Sequence, residues 1–413
     1  MIRAIAPVAA LLLSVSILLA GQGLQGILLP VRASLEDFST VAIGAMGASY
    51  FFGFTLGCLK GGELVRRVGH VRVFLAMSAL ASAAPLLHGL VINSAVWGTL
   101  RLLTGFCFAV LYIVIESWLN ESSSNENRGI VFSTYSMITL TVLAAGQMMS
   151  MLYDPSGLQL FVIASILVSL GAVPIALSAS PSPEQPQTVS IDLKRLFEIS
   201  PSGALGCLVT GLANGSFWGL APIFATGVDD TVAMAAWFMT FAVVGGALAQ
   251  WPLGILSDSI GRRKVLIAVS LMGCLVGVAL VVSVPVLDFM SANLLGALWG
   301  ALAFPLYTIA VAYSNDYAEP GEYVTVSGGL LLMYGVGATI GPFVAAALMT
   351  LQGTSGLFVF TALVHFMLVA YVTVRFLRRR THAKQQVAFG DSLSSAQTAS
   401  QVFEEEIHPQ EPD

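Results

Sequence analysis

Charged side chains are what this sequence has least of. Only 10% of its 413 residues are Asp, Glu, Lys or Arg, against 56% hydrophobic. A water-soluble domain carries about 25% charged residues, because its surface has to face water. The shortage excludes a chain solvated wholly by water and leaves lipid to cover much of the surface. Basic residues form no concentrated face either, which excludes a nucleic-acid footprint. Cysteine is sparse: Cys58, Cys107, Cys207 and Cys274 each lie inside an apolar run, with no C-x-x-C pair. That spacing excludes a thiolate metal site and a disulfide framework, and the four read as small buried apolar residues. No G-x-x-x-x-G-K-(S/T) loop is present, so a nucleotide-driven pump is not expected. Neither H-E-x-x-H nor G-x-S-x-G occurs, which argues against a familiar hydrolase. No cofactor and no metal are expected, and the chain reads as a non-enzyme.

What is abundant is long apolar runs. A spanning helix needs about 20 mostly apolar residues. Twelve segments meet that: 7–29, 39–59, 73–92, 95–118, 130–152, 158–178, 203–226, 232–256, 265–284, 288–313, 324–350 and 355–377. The first resembles a secretory signal at its start. Its apolar stretch, Pro7 to Leu29, is longer than the 7–15 residues of a signal core, so it reads as a retained helix. Residues 179–202 form a linker that begins Ser180-Pro181-Ser182-Pro183. Its Ser190–Ser200 piece reads as a short interfacial helix, with Ile191, Leu196 and Phe197 able to enter the headgroups. The polar tail from 378 to 413 is expected to be disordered.

The few charges are unevenly placed. With the N-terminus inside, the inner segments hold Arg3, Lys60, Arg66, Arg67, Arg72, Arg128, Lys194, Arg195, Arg262, Arg263, Lys264, and Arg375 with the basic residues after it. Arg32 falls in an outer loop and Arg101 within a span. Inner Lys/Arg excess sets orientation, so both termini are expected in the cytoplasm of a cell with this protein in its cytoplasmic membrane.

The chain also repeats itself. At an offset of 192, Gly23 meets Gly215, Pro30 meets Pro222, Gly53 meets Gly245, Gly62 meets Gly254 and Gly69 meets Gly261. At 195, Gly105 meets Gly300, Leu111-Tyr112 meets Leu306-Tyr307, Asn120-Glu121 meets Asn315-Asp316 and Gly146 meets Gly341. An offset of six spans indicates a duplicated six-helix unit. The domains are therefore 1–178, a linker 179–202, 203–377 and a tail 378–413. Parallel halves with a solute site between them are a transporter architecture.

After the eighth span runs Gly254-Ile255-Leu256-Ser257-Asp258-Ser259-Ile260-Gly261-Arg262-Arg263-Lys264. It reads as a loop in which Gly254 lets helices approach, Gly261 turns the chain, and Asp258 sits near a helix N-terminus or accepts from arginine. Positive-inside arginines around a plain turn are the alternative. The segment resembles the signature G-x-L-(S/A)-D-x-x-G-R-(R/K) of the major facilitator superfamily. The loop after the second span keeps Gly62, Leu64 and Gly69, but places Arg66 at the aspartate position and His70 at the arginine position. Arg67 and a substituting acid, Glu63, complete that loop. The resemblance implies an all-α integral membrane protein, twelve helices in two pseudo-repeated six-helix bundles. It also implies a conformational latch at Gly62, Gly69, Arg67, Gly254, Asp258, Gly261, Arg262 and Arg263.

The fourth span carries Arg101-x-x-x-Gly105-x-x-x-Ala109, resembling the superfamily's motif on that helix, whose arginine is linked to the solute cavity and proton coupling. At about 100° per residue, Arg101, Gly105, Tyr112 and Glu116 share a face. Lipid penalises charge by several kcal/mol, so a polar stripe should face the interior. Arg101 contacts solute or holds backbone carbonyls. Glu116 takes part in transport or pairs with a loop arginine. The two are 15 residues apart, about 22 Å along the axis, and cannot pair directly. The run Glu116-Ser117-Trp118-Leu119-Asn120, with Asn315-Asp316, resembles the bacterial YcaD-like branch. Ser14 and Gln25 share a face of the first span, with Gln22 at its margin. Asn214 and Trp218 lie on the seventh, Tyr307 and Tyr313 on the tenth, Gln147 on the fifth. The resemblance implies that the first, fourth, seventh and tenth spans line the cavity; interhelical glue is the alternative for any one of these residues. Gly337-Ala338-Thr339-Ile340-Gly341-Pro342 is a kink on the eleventh span. Ala144-Ala145-Gly146-Gln147 at the equivalent place on the fifth lacks its proline, which argues against a proton-coupled drug exporter.

The expected function is secondary transport of a small solute by alternating access, coupled to protons, in a monomer surrounded by lipid. A non-transporting receptor or scaffold on the same fold is the alternative.

Overall fold

The computed structural model describes residues 8–123, 128–177, 192–319 and 322–378, and among these the chain is helical, with no strand. The long helices are α1 (Ala9–Leu35), α2 (Thr40–Val68), α3 (His70–Leu90), α4 (Ser94–Glu121), α5 (Arg128–Met148) and α6 (Gln159–Leu170), which a short turn Val173–Ala176 extends. Then follow α7 (Pro201–Val228), α8 (Val232–Ile260), α9 (Arg262–Ser283), α10 (Phe289–Asn315), α11 (Tyr323–Gln352) and α12 (Gly356–Arg378). Among the described residues, 12 helices are long and apolar enough to cross a membrane, the number the apolar runs predict. The tail beyond Arg378 and the linker before Asp192, including Ile191, lie outside the described residues.

Short polar side chains start these helices where the hydropathy rises. Ser39 accepts from the Ala42 N–H, Asn93 from Ala95 and Val96, Thr231 from Met234, and Asp288 forms a reciprocal box with Ser291. Each satisfies N–H groups that the first turn leaves without a carbonyl.

Two boundaries depart from the apolar runs. The sequence suggested that α2 ends near residue 59 and α8 near 256. The helices instead continue to Val68 and Ile260 and stop at Gly69 (φ 95°) and Gly261 (φ 98°). Lys, Glu and Arg are good helix formers, so the helix persists after the hydropathy has fallen. Only a glycine takes the positive φ that ends it at little cost. The signature segments are therefore not loops. Each is a helix, one glycine and the next helix.

Packing repeats along the chain. Helix α1 packs on α5, α2 on α4 and α3 on α6; α7 packs on α11, α8 on α10 and α9 on α12. Repeat-matched glycines within the spans sit at these crossings. A Cβ on Gly53 would overlap the Leu102 carbonyl, and one on Gly105 the Tyr50 carbonyl. Their counterparts Gly245 and Gly300 would overlap the carbonyls of Ala297 and Ala242. In lipid there is no hydrophobic force between helices, so close backbone approach supplies the dispersion contact that holds them.

The first six helices meet the last six mainly where α2 crosses α11 and α5 crosses α8, with α7 touching α1 and α2. At one crossing the Thr240 hydroxyl donates to Gln147 Oε1, 3.3 Å.

A short helix, Leu193–Ile199, precedes α7. Leu196 is buried against Gly329 of α11. Arg195 Nε donates to Glu322 Oε1 at 2.7 Å, and that bond raises the Arg195 pKa above its ordinary value. Leu196 was expected to enter the headgroups. It faces protein instead, because one turn of helix can bury one apolar residue against α11 while Phe197 stays exposed.

Candidate functional site

The polar groups of the first half converge from three helices. Arg101 lies on α4, and its guanidinium carbon sits 4.1 Å from the centroid of the Tyr50 ring of α2. Gln22 of α1 donates through Nε2 to the Tyr50 hydroxyl, 2.8 Å. The Tyr112 hydroxyl, farther along α4, donates to Gln22 Oε1 at 3.2 Å. Phe54 fills the space between, its ring 6.2 Å from Tyr112 and 6.3 Å from Tyr50. The close α2–α4 crossing at Gly105 brings the Tyr50 backbone this near to the arginine.

Arg101 has no carboxylate partner among the described residues. An arginine at the centre of a spanning helix costs about 2.5–3.5 kcal/mol on insertion scales, an upper bound for Arg101, two turns into α4. Stacking on an aromatic face returns about 0.5–2 kcal/mol. The ring therefore offsets only part of the cost. Arg101 also keeps accessible surface, so its N–H donors are presented to water or to an anionic ligand rather than to the protein.

The second half presents aromatic rings on α7, α10 and α11. Trp218 of α7 stacks on Phe304 of α10, 5.4 Å apart and 7° from parallel. Tyr307 of α10 meets Tyr334 of α11 at 4.9 Å, and Asn214 of α7 is buried. The two sets adjoin where α2 crosses α7. A Cβ on Gly47 would lie 3.2 Å from the Gly219 Cα. Gly47 is one turn before Tyr50, and Gly219 follows Trp218.

Two other residues predicted for this cavity make contacts outside the Gln22–Tyr50–Tyr112 cluster. Gln25 is buried and donates to the Gly21 carbonyl of its own helix, 3.2 Å. Glu116 is completely buried, with the Tyr135 hydroxyl of α5 at 3.5 Å. It lies one turn beyond Tyr112, on the far side of the cluster from Arg101.

At the end of the bundle that carries Gly69 and Gly261, Arg262 is 2% exposed in its side chain and bridges two acids. Its Nε donates to Asp316 Oδ2 at 2.8 Å, and Nη2 lies 3.1 Å from Asp258 Oδ1. Asp258 ends α8, Arg262 begins α9 and Asp316 caps α10, so one guanidinium joins three helix ends. Both carboxylates also gain from the partial positive charge at the α9 N-terminus. The neighbouring Arg263 stands 5.2 Å over the Phe376 ring of α12. Gly254 is buried on α8.

In the repeat-equivalent place a neutral contact stands. His70, at the start of α3, meets Ser117 Oγ of α4 at 3.2 Å. Arg67 pairs with Glu63 one turn earlier on α2, at the exposed surface. A Cβ on Gly62 would meet nothing.

Sequence reasoning missed Tyr50, Phe304, Tyr334 and the role of Asp316. A signal existed for Tyr50, which is the one tyrosine of its span and so the one ring there with a polar edge. Asp316 stood at a repeat-matched helix end, but its partner is 54 residues away, a separation that no local spacing rule reaches.

A sequence profile described as Major Facilitator Superfamily matches residues 11–201 and 203–407. The chain is 28% identical over 387 residues to an uncharacterized MFS-type transporter YcaD of Escherichia fergusonii, covering 92% of this chain and 98% of that protein. It is also 28% identical over 367 residues to an uncharacterized MFS-type transporter of Enterobacter sp. strain 638, covering 87% and 93%. Among solved structures, the nucleoside transporter NupG superposes with a TM-score of 0.75 at 12% identity, over 89% of this chain and 98% of that one. A bacterial homolog of the human lysosomal transporter Spinster, in an inward-facing and occupied conformation, gives 0.69 at 14%, over 92% and 97%. At such identities the likeness concerns the fold.

Proposed function

Because the chain belongs to the Major Facilitator Superfamily of membrane transporters, we propose that it carries a small solute across the cytoplasmic membrane by alternating access coupled to protons. Arg101, within a span and without a carboxylate partner among the described residues, is the observation that supports a solute site here. In this reading, residues 1–178 rock against 203–377, tethered by 179–202, with both termini in the cytoplasm. The solute sits between Arg101, Gln22 and Tyr112 on one side and Asn214, Trp218 and Tyr307 on the other. Glu116, the buried acid next along α4, carries the coupled proton. The protein works as a monomer in lipid, without nucleic acid.

Proteoliposomes with a pH-sensitive dye inside, given pools of solutes with and without an imposed proton gradient, test this. A solute-triggered pH change, absent in empty vesicles and reduced at least tenfold by Arg101→Ala, is expected. Labelled solute moving without a pH change would remove the proton coupling and leave a facilitator. Wild-type vesicles silent in both channels would favour a receptor.

The Asp258–Arg262 contact supports a second expectation. A charged contact at helix ends is one that a rocking motion makes and breaks. Asp258→Asn keeps the shape and removes the charge, while Asp316 still holds Arg262. Transport should slow several-fold with near-wild-type amounts of folded protein. Unchanged initial rates in reconstituted vesicles would remove Asp258 from the latch.

A further inference from the structure

We propose that the solute is a planar aromatic organic anion. This rests on the transport site described above and names the class of molecule that site takes. At one side stands the Arg101 guanidinium, stacked on Tyr50 and with no carboxylate partner among the described residues. Its in-plane N–H donors form a fork that matches two carboxylate oxygens. Gln22 and Tyr112 are joined by a hydrogen bond and occupied by each other and by Tyr50. Their polar groups are engaged within the protein, and in this cluster, among the described residues, the charge is that of Arg101.

On the other side the Trp218–Phe304 pair is nearly parallel, 7° between planes. Trp218 also meets Phe217 edge-on at 6.1 Å, and Phe217 stacks on the buried Trp299 at 4.3 Å. The Trp218 ring is thus held in one orientation by neighbours that are themselves packed. It remains partly accessible. A fixed flat face recognises a flat partner, because offset stacking of rings is favourable beyond area burial. The α2–α7 approach at Gly47 and Gly219 brings the two helices together within a turn of Tyr50 and next to Trp218 in sequence. One molecule can therefore offer its carboxylate to Arg101 and its ring to Trp218.

Charge decides the class. A cationic solute here would be repelled by Arg101, and the acid on the same helix, Glu116, is buried against Tyr135 one turn beyond Tyr112. A saturated anion would satisfy Arg101 but lose the stacking.

Calorimetric titration of the full-length protein in lipid nanodiscs, with empty nanodiscs subtracted, separates these cases using three probes of one size: benzoate, benzylammonium and cyclohexanecarboxylate. Benzoate is expected to bind at least tenfold more tightly than benzylammonium and several-fold more tightly than cyclohexanecarboxylate. Arg101→Gln should weaken benzoate at least tenfold. Arg101→Lys, which keeps the charge and loses the planar fork, should weaken it several-fold and keep the preference over benzylammonium. Trp218→Leu should bring benzoate down to the affinity of cyclohexanecarboxylate. Lys264→Gln, a charge loss on the exposed surface, should change nothing. If Arg101→Gln does not fold, the Lys and Leu variants carry the test. Benzylammonium binding as tightly as benzoate, or no benzoate binding to the wild type, overturns the proposal. Absent benzoate binding with solute flux from the pools would discard the anion class and leave the transporter standing. Benzoate binding without any flux would keep the class and discard the transport cycle.

Discussion

Replacing Arg262 by leucine is expected to destabilise the protein by about 3–5 kcal/mol, the cost of removing one partner of a buried ion pair. The guanidinium is 2% exposed and Asp316 is 8% exposed in its side chain, so little water reaches the carboxylate that would be left behind. The loss is mainly the cost of a buried carboxylate deprived of its arginine, with a smaller part from the broken 2.8 Å hydrogen bond. The double variant Arg262→Leu with Asp316→Asn should therefore recover much of the stability, since the stranded charge is gone. Thermal unfolding of purified protein in detergent, followed by tryptophan fluorescence, measures both. A single variant as stable as the wild type would mean that the pair contributes nothing. A double variant no better than the single would assign the loss to packing rather than charge.

Gly105→Leu should leave little folded protein. A Cβ alone at this position overlaps the Tyr50 carbonyl, and backbone cannot move aside as a side chain can. Overpacking of a well-filled core costs about 1–3 kcal/mol and sometimes more; here α2 would have to leave α4. That displacement carries Tyr50 from beneath Arg101, so the solute site would be lost together with the fold. Gly300→Leu should behave alike, because its Cβ meets the Ala242 carbonyl at the equivalent α8–α10 crossing. By contrast, Gly62→Ala, where a Cβ meets nothing, should be tolerated or slightly stabilising, as alanine reduces the freedom of the unfolded chain. Size-exclusion yield and unfolding temperature separate these outcomes. A monodisperse Gly105→Leu protein with wild-type unfolding would show that the crossing is looser than its geometry.

How much was legible in the sequence differs between fold and site. Each apolar run answers to one local physical demand, that lipid offers no hydrogen bonds to the backbone. A run of about 20 apolar residues therefore has to be a helix, whatever surrounds it. The repeat was legible because duplication preserves glycines wherever backbones must touch. Gly53 with Gly245 and Gly105 with Gly300 were matched by offset alone, and they occupy equivalent crossings. Helix ends were less legible. Hydropathy reports where lipid stops, whereas Gly69 and Gly261 report where the helix stops.

The site was legible as residue types, but only in part as partners. A guanidinium in a span announces that something must compensate it. The sequence offered solute or backbone carbonyls, and the structure supplied a ring from another helix, Tyr50. Gln22 stood at the margin of its helical face by angle, yet it joins Tyr50 and Tyr112. Gln25, nearer the face centre, turned back onto its own helix.

The sequence by itself determined that this is a twelve-helix membrane protein, that its halves repeat and that it belongs with the facilitators. Composition, run length and internal offset are properties of the chain that no packing can reverse. Only the tertiary structure decided that Arg262 joins three helix ends through Asp258 and Asp316, that Arg101 faces Tyr50, and that Trp218 stacks on Phe304. Those pairings depend on helix rotation and crossing distance. In lipid, both are set by side-chain and backbone contact between segments far apart in the chain.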